Sequence, residues 1–253
     1  MNEFTGRVAL VTGGGSGIGR AIALRYAAGG GTVAVLGRRA EPLRETARLA
    51  EERGAAADVI ICDVRDPAAV TAAVDGLVAR HGRLDALVNN AAGNFVCPAE
   101  DLSPNGWKAV IDIVLNGGFH CTRAAAQHML AAGRGSILNV IATYAWHGHP
   151  GTVHSAAAKA GVLAMTRSLA VEWGGRGIRV NCIAPGPTEA GARHRPRRAV
   201  HHAGGDRGVG GVPARRRARG LRQRRGPHRR RRPVAGQGGL RGLLAGRLGE
   251  ELT

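Results

Sequence analysis

A glycine-rich turn near the amino terminus is the first stretch whose residue types suggest chemistry. Residues 12–19 read Thr-Gly-Gly-Gly-Ser-Gly-Ile-Gly and lie between an apolar run and an amphipathic stretch. Glycine adopts positive φ and lets a backbone approach a pyrophosphate, while a helix N-terminus offers free N–H groups. The order strand, turn, helix therefore favours a dinucleotide site, with a purely steric role for the glycines as the alternative. The candidate binding residues are Gly13, Ser16, Gly17, Ile18 and Gly19.

Charged residues follow the next two apolar runs. Arg38 and Arg39 stand where an NAD-preferring enzyme usually has an acid that binds the ribose 2′-hydroxyl. Guanidinium groups suit a 2′-phosphate because they form forked, charge-assisted hydrogen bonds. The sequence thus favours NADPH as the cofactor, unless these arginines merely begin a solvated helix. Asp63 could accept a hydrogen bond from the adenine amino group, or it could cap a helix.

These positions need a scaffold that gathers the ends of several strands. Apolar runs predict strands at 8–11, 32–36, 59–62, 86–88, 136–140 and 178–183. Amphipathic stretches between them predict helices at 17–28, 41–53, 67–80, 105–115 continuing to 132, and 155–173. We therefore expect a single α/β domain over residues 1–190, with a doubly wound parallel (Rossmann) sheet and its ligands beyond the carboxyl ends of the strands.

Charge is concentrated in the last quarter of the chain. The protein has 253 residues, of which 44% are hydrophobic, which excludes a disordered or collagen-like chain as a whole. Residues 191–253 contain 18 Arg, no Lys and three acids, so this tail carries +15 of the formal +18. Fourteen Gly and four Pro accompany these arginines without any periodicity, so we expect an irregular, disordered tail. It has no aromatic residue for base stacking, so we expect no specific nucleic-acid recognition.

Targeting and redox signals point to the cytoplasm. The four cysteines form no C-x-x-C pair, and the start Met-Asn-Glu-Phe-Thr-Gly-Arg has no apolar stretch. No window reaches the roughly 18 apolar residues of a membrane span. We expect a cytoplasmic protein with reduced thiols and no membrane partner.

Further motifs follow the glycine-rich turn in a fixed order: Asn89-Asn90-Ala91-Ala92-Gly93, Asn116, Lys159 and Pro185-Gly186-Pro187-Thr188. With residues 12–19 and 62–64 they resemble the short-chain dehydrogenase/reductase superfamily up to about residue 190. The resemblance implies that Lys159 holds the nicotinamide ribose and that Asn116 supports this lysine through water. It also implies cofactor contacts from Asn90, Pro185, Gly186 and Thr188.

The usual catalytic residues of that superfamily are replaced. Most of its carbonyl reductases have a tyrosine four residues before the lysine and a serine at the end of the preceding strand. Here Ser155 occupies the tyrosine position, and Ile141 and Ala142 stand where the serine is expected. A serine hydroxyl is far less acidic than a phenol of pKa about 10, so Ser155 cannot replace the proton donor.

A phenol at a different position resembles the 2,4-dienoyl-CoA reductase branch. Tyr144 lies fifteen positions before Lys159, and the Asn-Asn-Ala-Ala-Gly motif continues into Asn94-Phe95. The segments 102–105 and 112–117 also resemble this branch. The resemblance implies that Tyr144 and Asn94 bind the thioester carbonyl, that Ser155 is a neighbouring polar group, and that the Lys159 charge makes Tyr144 more acidic.

Less specific roles stay open for the same residues. Tyr144 could be a packing residue, Asn94 a left-handed turn residue and Lys159 a surface lysine. His147, His149 and His154 lack nearby carboxylates in the sequence, so we expect them to be exposed to solvent and predict no metal site.

The segment after residue 190 does not continue the family pattern. It has either an arginine-rich role of its own or a shifted reading frame, and a one-nucleotide shift over residues 208–240 permits a string with an amphipathic helix, a strand and an Asp-Gly. We favour the frameshift. Without the normal segment, the lid over the acyl group and a strand at a subunit interface would be missing.

The resemblance implies an NADPH-dependent 2,4-dienoyl-CoA reductase of fatty acid β-oxidation, in which the aberrant tail could either impair the activity or leave it intact. Its partners would be an acyl-CoA substrate and, with an intact C-terminus, further copies of itself. The alternatives are a 2-enoyl-CoA or 3-oxoacyl reductase, and a non-catalytic nucleotide- or nucleic-acid-binding protein. The family product would be a 3-enoyl-CoA.

Overall fold

A computed structural model describes residues 3–186. Six parallel strands form one sheet in the order β3-β2-β1-β4-β5-β6. They are β1 (Val8–Thr12), β2 (Thr32–Gly37), β3 (Ala57–Ile61), β4 (Ala86–Asn89), β5 (Gly135–Val140) and β6 (Ile178–Ile183). The doubly wound α/β fold predicted from the sequence is confirmed.

Helices cover the sheet on two faces. They are α1 (Gly17–Ala28), α2 (Ala40–Glu51), α3 (Pro67–His81), α4 (Pro104–Ile111), α5 (Gly117–Ala131), α6 (Tyr144–His147) and α7 (Val153–Gly174). On one face α1 and α2 pack on β1 to β3, with a core that includes Val11, Ala23 and Leu43. On the other face α3, α5 and α7 enclose the larger core, which includes Leu10 and Met129.

The central strands owe their position to continuous apolar sequence. All five residues of β1 are buried, as are the inner four of β2. Parallel strands that are covered on both faces lose the alternation of apolar and polar residues seen in half-exposed strands. The pairing places Val8 opposite Thr32 in β2 and Ala9 opposite Ala86 in β4.

Helix termini are set by local signals. The carboxylate of Asp66 accepts hydrogen bonds from the N–H groups of Ala68 and Ala69, and Pro67 begins α3. Ser103 caps α4 in the same way, through a hydrogen bond from the Gly106 N–H, and Pro104 follows it. Such caps satisfy N–H groups that have no partner within the helix.

The structure divides one predicted helix and adds two short ones that the sequence analysis missed. The single helix expected over 105–132 is α4 and α5 joined by a π-helical turn at Asp112–Asn116. A short 3₁₀ helix at Ala99–Asp101 and the one-turn helix α6 were missed, because elements of three or four residues are too short for a periodic pattern. The predicted tail, 191–253, lies outside the described residues. Within the described part, no helix is long and apolar enough to cross a membrane.

Candidate active site

The turn after β1 needs glycine at several positions. Gly13 has φ of +64°, and a Cβ on Gly19 would lie 2.4 Å from the Gly13 carbonyl oxygen. A Cβ on Gly14 would lie 2.7 Å from a methyl group of Val35. The turn is therefore bare backbone at the N-terminus of α1, next to the point where the strand order reverses between β1 and β4. This geometry fits a dinucleotide pyrophosphate.

The side chain of Asn90 fixes this turn from the neighbouring strand. Its amide donates to the carbonyls of Thr12 (3.0 Å) and Gly13 (3.2 Å). In return the hydroxyl of Thr12 accepts from the N–H groups of Asn90 and Ala91, both at 3.0 Å. Asn90 was predicted to bind the cofactor. In the structure its side chain instead bonds to the main chain of the glycine-rich turn and fixes its conformation.

An arginine that the sequence analysis missed holds the turn from the other side. The guanidinium of Arg20 donates to the Gly15 carbonyl at 2.6 Å and to the hydroxyl of Thr46 at 3.0 Å. Thr46 is fully buried on α2, 26 residues away in the chain. No local pattern pairs two such distant positions, so the sequence carried no signal for this contact.

A cavity of about 240 Å³ extends from the turn along the ends of β2 and β3. Arg38, Arg39 and Asp63 line it together with Gly13, Ser16 and Asn90. Arg38 and Arg39 are exposed and form no ion pair within residues 3–186, so both guanidinium groups are available to a phosphate. The predicted cofactor residues at this end of the site therefore lie around one space.

Asp63 is oriented by its own loop. Arg65 donates to both of its carboxylate oxygens, and the Arg65 N–H donates at 3.0 Å. These hydrogen bonds hold the pKa of Asp63 below its usual range, with a smaller contribution from the charge of Arg38. The cap of α3 is Asp66, so the alternative of Asp63 as a helix cap is excluded.

Beyond the end of β5, two of the predicted catalytic residues meet, and a third lies one helical turn away. The hydroxyl of Tyr144, on α6, lies 3.0 Å from that of Ser155 on α7. Lys159 follows one helical turn after Ser155, so the two share a face of α7. Ser155 is 1% exposed and Lys159 7%, whereas Tyr144 is half-buried. A phenol with an open approach is thus backed by a buried hydroxyl and a buried amine.

Lys159 is buried deeply enough to change its protonation. Its ammonium group donates to the Val140 carbonyl at the end of β5. Burial lowers its pKa to about 8, because a charged group loses the stabilisation by water. The alternative of a surface helix lysine is therefore wrong.

Asn94 lies on the segment that follows β4. It is exposed, and its side-chain amide has no hydrogen-bond partner within residues 3–186. The amide oxygen and the amide nitrogen are therefore free to bind a ligand. The ring of the next residue, Phe95, packs against that of His154, which directly precedes Ser155, with the two ring planes tilted by 38°. The Cys97 N–H donates to the Gly151 carbonyl at 2.9 Å. Two contacts thus hold the Asn94 segment against the start of α7.

Asn116 and the loop after β6 complete the set of predicted residues. Asn116 ends the π-helical turn, and its amide donates to Asp112 at 2.9 Å and not directly to Lys159. π-helical turns inside helices are frequent at functional sites. Pro185 and Gly186 follow β6 at the same edge of the sheet, and Thr188 lies outside the described residues.

The expectation for the three histidines is wrong in one case. His147 and His149 are exposed, but His154 is fully buried, in the first turn of α7 against the Phe95 ring. Over residues 3–186, no group of three or more His, Cys, Asp or Glu side chains is arranged to hold a metal. The four cysteines are free.

A buried polar network below the site was also missed. Asn89 donates to Thr122 and to Asn139, and Asn139 donates to Thr166, each at 2.8 Å. All four side chains are buried. The network ties β4 and β5 to α5 and α7, so it fixes the strands that carry the catalytic loops.

The fold and the site together define a class of protein. A glycine-lined phosphate cradle lies at the reversal of strand order, and a phenol, a hydroxyl and a buried amine lie beyond β5. Such an arrangement is typical of an oxidoreductase that uses a nicotinamide dinucleotide.

The chain belongs to the short-chain dehydrogenase family, whose model, described as short chain dehydrogenase, matches residues 7–200. A Bacillus subtilis protein named probable 2,4-dienoyl-CoA reductase [(2E)-enoyl-CoA-producing] is 54% identical over 185 residues, or 72% of this chain and 73% of that protein. A Caenorhabditis elegans protein named probable 2,4-dienoyl-CoA reductase 3 [(3E)-enoyl-CoA-producing] is 44% identical, over 72% of this chain and 60% of its own length. The chain thus matches less than two thirds of this second relative.

Solved structures show the same fold. A short chain dehydrogenase from Bacillus anthracis has a TM-score of 0.71 at 49% identity, covering 74% of this chain and 79% of that one. NAD⁺-bound xylitol dehydrogenase has a TM-score of 0.73 at 33% identity, covering 76% and 75%. The family resemblance drawn from the sequence motifs is confirmed.

Proposed function

We propose that this chain is a reductase of 2,4-dienoyl-CoA thioesters that uses NADPH. The observation that carries the proposal is the pair of hydroxyls of Tyr144 and Ser155, 3.0 Å apart. Ser155 shares one face of α7 with the buried Lys159. A serine in place of the usual tyrosine disfavours simple carbonyl reduction. Several relatives, including the one that is 54% identical, carry the name 2,4-dienoyl-CoA reductase.

The arrangement suits a reaction that places negative charge on a thioester oxygen. When bound, the cofactor supplies a hydride to the conjugated carbons of the substrate. The charge then spreads toward the carbonyl, where Tyr144 and Asn94 donate hydrogen bonds to the oxygen. Donors fixed in advance stabilise such an anion, by about 3 kcal/mol each.

Ser155 and Lys159 act on the phenol and the cofactor. The Ser155 hydroxyl lies 3.0 Å from that of Tyr144. Because the phenol has a single proton and donates it to the thioester oxygen, Ser155 donates to the Tyr144 oxygen and so orients the phenol toward the substrate. Lys159 holds the nicotinamide ribose. Asn116 supports Lys159 through a bridging water.

The cofactor preference rests on Arg38 and Arg39. Both border the cavity beyond the glycine-rich turn, and neither is neutralised by a carboxylate in the described part of the chain. Two free guanidinium groups favour a 2′-phosphate over a 2′-hydroxyl. Asp63 is placed on the same cavity to accept from the adenine amino group.

The product depends on where the dienolate takes up its proton. Protonation next to the carbonyl gives a 3-enoyl-CoA, which we favour for this chain. The names of the relatives differ on this point, because the Bacillus subtilis protein is called (2E)-enoyl-CoA-producing and the Caenorhabditis elegans protein (3E)-enoyl-CoA-producing. Identification of the product is therefore part of the test.

The test follows NADPH oxidation with a 2,4-dienoyl-CoA. We expect turnover that depends on Tyr144, and little or none with a 3-oxoacyl-CoA or a 2-enoyl-CoA. The chain is assayed beside a version whose reading frame is restored after about residue 190. Oxidation of NADPH by neither version, or a preference of both for 3-oxoacyl-CoA, would overturn the substrate assignment.

The frameshift is a separate proposal. Identity with the Bacillus subtilis relative extends over 185 residues, or 72% of this chain, and the arginine-rich segment comes after residue 190. We further propose a cytoplasmic location, a place in fatty acid β-oxidation and assembly into a homo-oligomer once the frame is restored. Resequencing the source DNA across codon 190 tests the frame, and an unchanged reading would end this proposal.

A further inference from the structure

The imidazole of His154 is a buried polar group that the proposed reaction leaves without a role. None of its surface is exposed, and neither ring nitrogen has a hydrogen-bond partner among residues 3–186. A neutral imidazole has one donor and one acceptor, and burying either without a partner is unfavourable. An apolar side chain would fill the same space without that cost.

The surroundings of His154 connect the two segments that carry the proposed hydrogen-bond donors. Its ring packs on Phe95, with centroids 4.4 Å apart. The Phe95 ring also lies near Gly106 at the start of α4, where an added Cβ would lie 3.1 Å from Cζ. Phe95 directly follows Asn94, and His154 directly precedes Ser155. One ring contact therefore joins the Asn94 segment to the helix that carries Ser155.

A main-chain group of Phe95 also acts on the imidazole. Burial lowers the pKa of His154, and this main-chain group opposes the change. A main-chain group that raises the pKa of a histidine favours its protonated, donating form. The group must therefore be a hydrogen-bond acceptor, which in the main chain of Phe95 is the carbonyl. In the structure, however, neither ring nitrogen of His154 has a hydrogen-bond partner among residues 3–186. Hydrogen bonds of an active site are often long without substrate and tighten when it binds.

We propose that His154 is a positioning residue that acts through Phe95 to hold Asn94. Its ring packs on Phe95, and its N–H donates to the Phe95 carbonyl when the segment closes on the substrate. The exposed amide of Asn94 is then fixed toward the thioester oxygen. This inference rests on the proposed function as far as the role of Asn94 in the reaction is concerned.

The kinetic test is a double-mutant cycle in the full chain. His154→Phe keeps an aromatic ring but removes the donor, and we expect kcat to fall about tenfold, as one lost hydrogen bond implies, with KM for NADPH unchanged. His154→Gln keeps a donor and recovers most of the loss. In an Asn94→Ala background His154→Phe has no further effect, because the residue through which it acts is gone. Additive losses in the double variant would contradict the proposal.

A second measurement does not depend on catalysis. The Cys97 N–H, which joins the Asn94 segment to Gly151, reports on the attachment of that segment by amide hydrogen exchange. We expect His154→Ala to speed its exchange by about fivefold or more, as loss of a stabilising contact requires. The matched control is Val171→Ala, an 87% exposed position on the same helix, which leaves this exchange unchanged.

The two measurements separate the two ideas. If neither the unsubstituted chain nor the frame-restored version oxidises NADPH with a dienoyl-CoA, the proposed function fails, and the exchange rate of Cys97 alone decides whether His154 holds the segment. Unchanged exchange in His154→Ala would overturn the inference whether or not the chain is active.

Discussion

Removal of one oxygen atom, in Tyr144→Phe, tests the central pair of hydroxyls. The phenol is proposed to donate to the thioester oxygen in the transition state, and loss of one such donor lowers kcat by about 10²- to 10³-fold. The same change leaves the Ser155 hydroxyl, only 1% exposed, without the partner that lies 3.0 Å away. A buried hydroxyl without a partner costs about 1–3 kcal/mol of stability.

The two effects are measured separately. Turnover of a 2,4-dienoyl-CoA at saturating NADPH gives the catalytic loss, and thermal unfolding gives the change in stability, roughly 2–4 °C in Tm per kcal/mol for a domain of this size. Ser155→Ala leaves the phenol in place, so its catalytic loss is smaller, about tenfold.

The chain offers a matched control. Its second tyrosine, Tyr26, lies at the opposite edge of the sheet and stacks on Phe4 with ring centroids 4.2 Å apart. Tyr26→Phe therefore leaves kcat unchanged. Equal losses of kcat in the Tyr144 and Tyr26 variants, or full activity in Tyr144→Phe, would refute the role of the phenol.

Three further predictions concern the cofactor side and Lys159. Burial lowers the pKa of Lys159 from its ordinary value of 10.5 to about 8. Between these two pH values Lys159 is protonated in the unfolded chain and largely neutral in the folded one. Its contribution to the free energy of unfolding therefore rises with pH in this window. Burial raises the pKa values of Cys62, Cys121 and Tyr26, which acts in the opposite direction in both proteins. Chemical denaturation across that range should therefore show the free energy of unfolding of the parent rising relative to that of Lys159→Met. The double change of Arg38 and Arg39 to Ala weakens NADPH binding by about 10- to 100-fold and NADH binding little, because charge-assisted hydrogen bonds to the 2′-phosphate are lost. The control Arg53→Ala, at an exposed position, changes the binding of neither cofactor. Equal weakening for both cofactors would count against a 2′-phosphate site. Gly19→Ala places a Cβ 2.4 Å from the Gly13 carbonyl oxygen and should abolish binding of both cofactors in calorimetry, while retained binding would show that the turn is not the phosphate cradle.

Features that depend on nearby sequence could be predicted. The strands β1 and β2 are uninterrupted apolar runs, and the glycine-rich turn stands between a strand and a helix. The relative positions of Ser155 and Lys159 follow from helical periodicity alone. These signals were sufficient for the fold class and for the general location of the site.

Features that depend on tertiary contacts could not be predicted. Arg20 meets Thr46 across 26 residues, and Asn90 reaches the Thr12 carbonyl across 78. The burial of His154 results from the Phe95 ring above it, which a loop sequence rich in Gly, Pro and His does not reveal. The hydrogen bond between Tyr144 and Ser155 depends on the position of the one-turn helix α6. This helix is too short to produce a periodic pattern in the sequence.

The most direct measurement is a crystal structure of the chain with NADP⁺ and an unsaturated acyl-CoA. The account predicts Tyr144 Oη and Asn94 Nδ2 about 2.7–3.1 Å from the thioester oxygen, as donors to an oxyanion must be. A thioester oxygen bound elsewhere, with these two side chains turned away from it, would contradict the account.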